Sequence, residues 1–199
     1  MASGIHLKPH NAAEQTFHVT MRGVGTLRPF FRNVDKEDLL DRFRWYLSEQ
    51  EVRDGKRRAY TKLYREVAVL AFCVLDNHFH LILHQFTANG MERLMRRVLT
   101  GYGRTYNANH PWKGPVFDAR YAADPIHTPR HLREGLAYTI LNNPIEQLGY
   151  DYSSNAMMLG ERSSSWLRTD LALGAFGDRD SYREFMNRTG PARVERKLR

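Results

Sequence analysis

Two histidines flank a single apolar residue in the stretch His78-Phe79-His80, and this stretch is where the sequence most clearly offers chemistry. In a β-strand, successive side chains point to opposite faces, so both imidazoles lie on one face with Cα atoms roughly 6–7 Å apart. That spacing suits two ligands of one divalent ion. The alternative is that the pair is simply the polar side of a half-exposed antiparallel strand.

The residues around the pair have the pattern of a hairpin in a sheet. Residues 66–75 form a long apolar run of strand type, and Asp76-Asn77 is typical of a turn. The histidine pair would then begin the second strand of the hairpin. The opposite face of that strand is predicted to be core and carries Phe79, Leu81 and Leu83.

The elements before and after this hairpin predict an α+β fold. We expect a first strand at 17–22, a helix at 36–49, a second helix at 90–106 and a fourth strand at 114–121. This order is the ferredoxin-like split βαβ arrangement, an antiparallel sheet with two helices on one face. Those helices should cover the core face and leave the histidine face, on a central strand, open to a ligand.

A further helix is predicted from Thr128-Pro129 to about Asn142, because Thr is a good N-cap and Pro suits the first helical position. Two short patterned segments follow at 166–173 and 181–187. We divide the chain into a flexible arm (1–14), a main domain (15–145) and a C-terminal helical extension with a frayed basic tail (146–199).

The composition favours a polyanionic partner. Lysine and arginine total 30 against 22 acidic residues, a formal charge of +8, and such a surplus attracts phosphates through counterion release. No apolar run is long enough to span a bilayer, and the single cysteine, Cys73, excludes a disulfide framework, so we expect a cytoplasmic protein. The candidate phosphate contacts are Arg96, Arg97, Arg104 and Arg120, and Trp112 is a candidate for stacking on unpaired bases.

Five blocks of the sequence resemble motifs of the single-tyrosine HUH transposases, of the IS200/IS605-like and REP-associated types, and they follow one another along the chain as they do in that family. The histidine motif Asn77–Leu81 is the central match, and the resemblance covers about residues 17–187. The other blocks are Phe17–Gly23 for the first strand, Gly114–Tyr121 for the segment that closes the sheet, Ile140–Pro144 for the end of the tyrosine helix, and Asp151–Ser154 for the Asp-Tyr-x-x-Ser-Ser signature of the REP-associated branch, with a shorter gap.

The resemblance implies nicking and joining of single-stranded DNA, with recognition of a hairpin or palindrome. A tyrosine attacks the scissile phosphate and leaves a 5′-phosphotyrosine and a free 3′-OH. His78 and His80 would hold Mg²⁺ or Mn²⁺, which stabilises the charge of the transition state. Members of the first branch work as dimers and members of the second can be monomeric, so the oligomeric state stays open.

One departure from the family concerns the nucleophile. The family's tyrosine stands four residues before the Asn of the closing Asn-Pro, and here that position is Thr139. Either the helix end carries one extra residue, so that Tyr138 is the nucleophile and Asn142 offers an oxygen to the metal, or Thr139 has replaced the nucleophile. In the second case the protein would be a non-cleaving DNA-binding or regulatory protein on the same scaffold.

Other polar residues near the motif receive a structural interpretation or stay open. His84 shares the histidine face but lies too far along the strand for the same ion, and Asp76 is better explained as a turn residue than as a ligand. His18, on the first strand, either approaches the site or faces solvent. An unrelated metal-dependent hydrolase is a third hypothesis, and it predicts turnover without a covalent adduct.

Overall fold

The computed structural model describes residues 12–118, 120–142 and 147–197. The predicted succession of strand, helix, strand, strand, helix, strand is confirmed, and a helical C-terminal part follows it. The elements in chain order are β1 (Gln15–Arg22), α1 (Asn33–Leu47), β2 (Val67–Val74), β3 (His78–Gln85), α2 (Gly90–Asn109), β4 (Ala122–Ile126), α3 (Pro129–Ile140), a 3₁₀ turn (Gln147–Gly149), α4 (Asn155–Met158), α5 (Thr169–Leu173) and α6 (Arg179–Lys197).

The four strands form one antiparallel sheet in the order β2-β3-β1-β4. Since β3 pairs antiparallel with both β1 and β2, those two strands run parallel with β3 between them, which is the split βαβ arrangement. The histidine pair therefore lies on an inner strand. In the register of the sheet His80 is opposite Thr20, and His78 is opposite Arg22.

One face of the sheet carries the predicted core. Phe79, Leu81 and Leu83 are fully buried beneath α1 and α2, together with the alternate residues of β1. Each large apolar side chain buried in this way contributes about 1.5–3 kcal/mol relative to exposure. The helices that cover this face supply Leu39 and Phe43 from α1 and Leu94, Met95, Val98 and Tyr102 from α2.

The other face is not open over its whole length, which corrects the prediction. Ile82 lies on the same face as the histidines, and it packs with Leu136 and Ile140 of α3 and with Met158 and Tyr182 of the C-terminal helices. Apolar residues on this face would be costly to leave in water, so a second helical layer covers them. The end of the face that carries the histidines remains accessible at the exposed residues Ala122, Asp124 and Tyr138.

The strand that closes the sheet lies later than predicted. It is β4, Ala122–Ile126, and the segment 114–121 contributes a single bridge between Gly23 and Phe117 in its described part. Phe117 packs instead against the rings of Phe30 and Tyr102. The apolar residues of this segment therefore serve core packing rather than strand pairing.

Some predictions concern residues that the structure does not describe. Most of the predicted arm 1–14 lies outside the described residues, and so does the Asn143-Pro144 pair after α3. At the C-terminus, α6 continues to Lys197 through most of the stretch that the sequence suggested was frayed. The boundaries of the predicted domains stay predictions.

Candidate functional site

The first layer of the site is built by two adjacent strands. His78 and His80 begin β3, and their ring centroids are 4.9 Å apart. On β1, every second residue points away from the core, which places His18 and Thr20 on the histidine face. His18 Nε2 and Thr20 Oγ1 each lie 3.0 Å from His80 Nδ1, and the His18 ring stacks on that of His80.

These contacts indicate which ring nitrogen would bind a metal. The Oδ1 of Asn77 lies 2.6 Å from Nδ1 of His78, and because that oxygen can only accept, Nδ1 carries the proton. Nδ1 of His80 can donate a hydrogen bond to the hydroxyl of Thr20 or to Nε2 of His18, both at 3.0 Å. Hydrogen bonding of one ring nitrogen orients a metal-ligating histidine, so both imidazoles would offer Nε2.

The second layer comes from α3, which begins as predicted with Thr128 accepting a hydrogen bond from the backbone N–H of His131. The helix lies close to the sheet at Gly135, where an added Cβ would be 3.2 Å from Ile126 and 3.5 Å from Ile82. Almost one turn later, Tyr138 lies over the histidines.

The ring of Tyr138 contacts two of the imidazoles edge to face. Its centroid is 5.3 Å from that of His18 and 5.4 Å from that of His80, with interplanar angles of 77° and 81°. Tyr138 is 44% exposed, which is high for a large aromatic side chain. The site therefore combines a solvent-accessible phenol with imidazoles from two strands.

Thr139, the competing position, has a different environment. Its side chain is fully buried, and its hydroxyl has no hydrogen-bond partner among the described residues. One residue turns a helix by about 100°, so Thr139 packs in the layer between α3 and its neighbours while Tyr138 reaches solvent. A threonine in this position does not occupy the place of the phenol.

Asn142, the predicted third ligand, lies beyond the end of α3. The helix ends at Ile140, and the buried Asn142 donates its backbone N–H to the carbonyl of Thr139 at 3.3 Å. Asn142 is the fourth residue after Tyr138, but it lies in a turn and not in the helix. The prediction that it shares a helix face with Tyr138 assumed that the helix continues to Asn142. Its role as a ligand stays a prediction.

The donor set around the histidine pair fits a hard divalent ion only with outside oxygen ligands. Within the described ranges, no group of three or more His, Cys, Asp and Glu side chains is arranged to hold a metal. Two imidazoles leave the remaining positions of Mg²⁺ or Mn²⁺ to oxygens, which such ions prefer. The side chain of Asn142 stays a predicted oxygen ligand, and the remaining positions would need oxygens from outside the chain.

Asp76 and His84 were not assigned to the metal from the sequence, and in the structure each contacts other side chains. Lys36 donates to the carboxylate of Asp76 at 2.9 Å, and Arg28 pairs with the same group. Partial burial alone would raise the pKa of Asp76, but the hydrogen bonds and charges of Lys36 and Arg28 hold it below its usual value. His84 lies 2.9 Å from the hydroxyl of Thr16.

The predicted DNA contacts are not brought together. Arg96, Arg97 and Arg104 are exposed on α2, which packs on the face of the sheet opposite the histidines. Arg120 is exposed just before β4, and Ala122 of that strand pairs with Thr20 at the site. Trp112 is 38% exposed and lines a cavity near the end of α2.

Two residues of the site were not assigned from the sequence. His18 was left open, and Thr20 was not considered, although the alternation along β1 puts both on the face away from Phe17, Val19 and Met21. What the sequence could not supply was the register that sets Thr20 opposite His80. Pairing register depends on the partner strand and not on the local pattern.

Comparison with known proteins supports the fold. No protein-family model matches the sequence, and no curated protein matches it. A solved structure does match, that of the REP-associated tyrosine transposase bound to a REP hairpin, with a TM-score of 0.57 and 11% identity over 80% of this chain and 86% of that one. This chain has the fold of that transposase. The similarity suggested by the sequence motifs is thus confirmed at the level of the fold.

Across the part of the chain that the structure describes, none of the helices combines the length and apolar character needed to cross a bilayer.

Proposed function

We propose that this protein nicks and rejoins single-stranded DNA through a 5′-phosphotyrosine on Tyr138, and that it recognises hairpin or palindromic DNA. The observation that carries the proposal is the position of the Tyr138 ring, 5.4 Å from that of His80 and accessible to solvent. A nucleophile that must reach a DNA phosphate has to be exposed, and a phenol is also able to leave again.

In the proposed reaction the oxygen of Tyr138 attacks phosphorus and the bond to the 3′ oxygen breaks. The phenol gives up its proton and the departing 3′ oxygen takes one, so no redox or energy-carrying cofactor is needed. Rejoining is the reverse attack by a 3′-OH. His78 and His80 would hold Mg²⁺ or Mn²⁺, and such an ion supplies stabilisation for the additional negative charge on the phosphate in the transition state.

Other groups of the chain would support this chemistry without touching the phosphate. The contacts of Asn77 with His78 and of Thr20 with His80 hold both imidazoles in one orientation. Gly135 allows α3 to lie close enough to the sheet for Tyr138 to contact the rings. The net charge of +8 favours DNA as the partner.

The decisive experiment tests for a covalent adduct. End-labelled hairpin oligonucleotides taken from the DNA that flanks the gene are incubated with protein and Mg²⁺ or Mn²⁺ and separated on a denaturing gel. We expect an adduct with the wild type, none with Tyr138→Phe, and none or a strongly reduced amount with His80→Ala. Tyr64→Phe is the matched control, because Tyr64 precedes the end of β2 that pairs with Gln85, whereas the histidine pair lies at the other end of the hairpin.

Each other outcome has a definite meaning. An adduct that persists in Tyr138→Phe would place the nucleophile elsewhere and contradict the proposal. Salt-sensitive hairpin binding with no adduct in either metal would favour the non-cleaving DNA-binding alternative. Turnover of DNA without any covalent intermediate would favour a metal-dependent hydrolase.

A further inference from the structure

A cavity of about 620 Å³ lies outside the histidine site and has no role in the proposed reaction. Its walls come from the loop after β1, the start of α1, the end of α2 and Trp112. The volume is within the range of about 300–1,000 Å³ that is typical of ligand sites. The side chains that line it include Arg28, Phe31, Arg32, Asp35, Tyr106 and His110.

The walls of this cavity are aromatic and accessible. Among the described residues, four large hydrophobic side chains are strongly exposed, and two of them, Phe31 at 60% and Trp112 at 38%, line this cavity. The rings of the buried Tyr106 and the partly buried His110 stack on each other, 3.8 Å apart at an angle of 12°. Exposed rings such as those of Phe31 and Trp112 are the surfaces on which unpaired bases stack.

The charges around the cavity suit a nucleotide rather than an uncharged ligand. The guanidinium of Arg28 lies 4.4 Å above the ring of Phe31, at the edge of the cavity. Arg32 and Asp35 pair with each other through two hydrogen bonds at 2.9 and 3.0 Å, which holds this polar part of the wall in place. The side chain of Arg28 is about half exposed, so beside its pair with Asp76 it can still meet the phosphate of a bound nucleotide.

The cavity is physically connected to the histidine site. The loop after β1 is hydrogen-bonded to the turn before His78, with the N–H of Gly23 donating to the carbonyl of Asn77 at 2.8 Å and the N–H of Phe30 donating to that of Asp76 at 2.9 Å. Arg28 pairs with the Asp76 side chain of the same turn. The turn that leads into His78 is therefore in direct contact with the loop that forms one wall of the cavity.

We propose that this cavity binds one unpaired base of the DNA substrate, stacked on Phe31 and Trp112, with the adjoining phosphate on Arg28. The inference rests on the proposed function, because it names the part of the DNA that the protein holds while the scissile phosphate lies at the histidines. It adds a specificity site that lies apart from the reacting groups.

The test pairs an abasic scan of the DNA with substitution of Phe31. A hairpin with an unpaired flank is made with one abasic nucleotide at each flank position in turn, and binding is measured by fluorescence anisotropy. For the wild type, we expect one position at which base removal weakens binding about tenfold or more. Phe31→Ala should weaken binding of the intact hairpin by a similar factor, and base removal at that position should then cost nothing further.

The controls separate stacking from misfolding and from general charge. Val34→Ala removes another exposed apolar side chain, outside the cavity, and should bind like the wild type. Phe31→Leu keeps an apolar side chain but removes the ring. In this variant, removal of the sensitive base should weaken binding much less than it does in the wild type. A blunt hairpin with no unpaired bases should bind equally to wild type and Phe31→Ala.

Two results would overturn the inference alone: no flank position sensitive to base removal, or an equal loss for Phe31→Ala on blunt and flanked hairpins, in a wild-type protein that still forms the covalent adduct. A wild type that neither binds hairpin DNA nor forms an adduct would overturn the proposed function as well.

Discussion

Tyr138 and Thr139 are neighbours in α3, yet the helix turns by about 100° between them and gives them different surroundings. The tyrosine ring contacts His18 and His80 at the accessible end of the sheet, whereas the threonine is fully buried. The family's spacing, counted from Asn143, points to Thr139. The geometry supports Tyr138 as the nucleophile in the proposed reaction, and the gel assay decides between them.

The buried hydroxyl of Thr139 leads to a prediction about stability. A buried donor or acceptor without a partner costs about 1–3 kcal/mol, and valine has the shape of threonine without the hydroxyl. We therefore expect Thr139→Val to raise the free energy of unfolding by about 1 kcal/mol, measured by urea denaturation, and to retain the adduct. A Thr139→Val protein that is normally folded but forms no adduct would indicate that the threonine hydroxyl takes part in the reaction.

At the scale of elements, the signature segment Asp151–Ser154 has a structural role that its motif does not reveal. It lies along the free edge of β2, where the N–H of Ser154 donates to the carbonyl of Phe72 and the N–H of Val74 donates to that of Tyr152. The hydroxyl of Tyr150 donates to the carbonyl of Val74 at 2.7 Å. Covering a strand edge satisfies the hydrogen bonds of its backbone groups and prevents the edge from pairing with a strand of another molecule.

Removing one hydrogen bond of this edge should be costly. The Oγ of Ser154 accepts from the buried N–H of Phe72 at 3.1 Å, so Ser154→Ala leaves that donor without its partner. We expect a loss of about 1–3 kcal/mol in the free energy of unfolding. Ser163→Ala, at an exposed position, is the matched control and should change stability little. Equal stability of both variants would show that the Ser154 hydroxyl contributes nothing to holding the segment.

At the scale of the whole molecule, the sheet separates the predicted DNA contacts into two groups. Helix α2 carries Arg96, Arg97 and Arg104 on the face away from the histidines, whereas Arg120 precedes the strand that pairs with β1 at Thr20. A substrate phosphate at His78 and His80 would therefore be closer along the sheet to Arg120 than to the arginines of α2. The net charge of +8 favours a polyanionic partner in general, but in the proposed function contacts near the reacting phosphate should matter most.

This separation predicts different effects for two exposed arginines. Arg120→Gln should weaken hairpin binding and reduce the slope of log affinity against log salt by about 0.7–0.9, the value for one lost phosphate contact. Arg96→Gln removes the same charge from the opposite layer and should have a smaller effect. A larger loss for Arg96→Gln than for Arg120→Gln would place the DNA across α2 instead.

Much of the fold followed from the sequence because the patterns involved are local. Alternation separated the core residues Phe79, Leu81 and Leu83 from the histidine face, and Thr128-Pro129 marked the start of α3. The position of β4 was missed because its sequence, with two alanines, an aspartate and a proline, has low strand propensity. Proline is tolerated there since β4 is an edge strand.

The sequence by itself determined the order of the elements, the shared face of His78 and His80, and the excess of positive charge, since each depends on residue type and spacing alone. Only the tertiary structure decided that a second helical layer covers most of the histidine face, that Tyr138 rather than Thr139 reaches the imidazoles, and that Phe31 and Trp112 line one cavity. These features join residues distant in the chain, and their contacts depend on register and on helix packing, which no local pattern specifies.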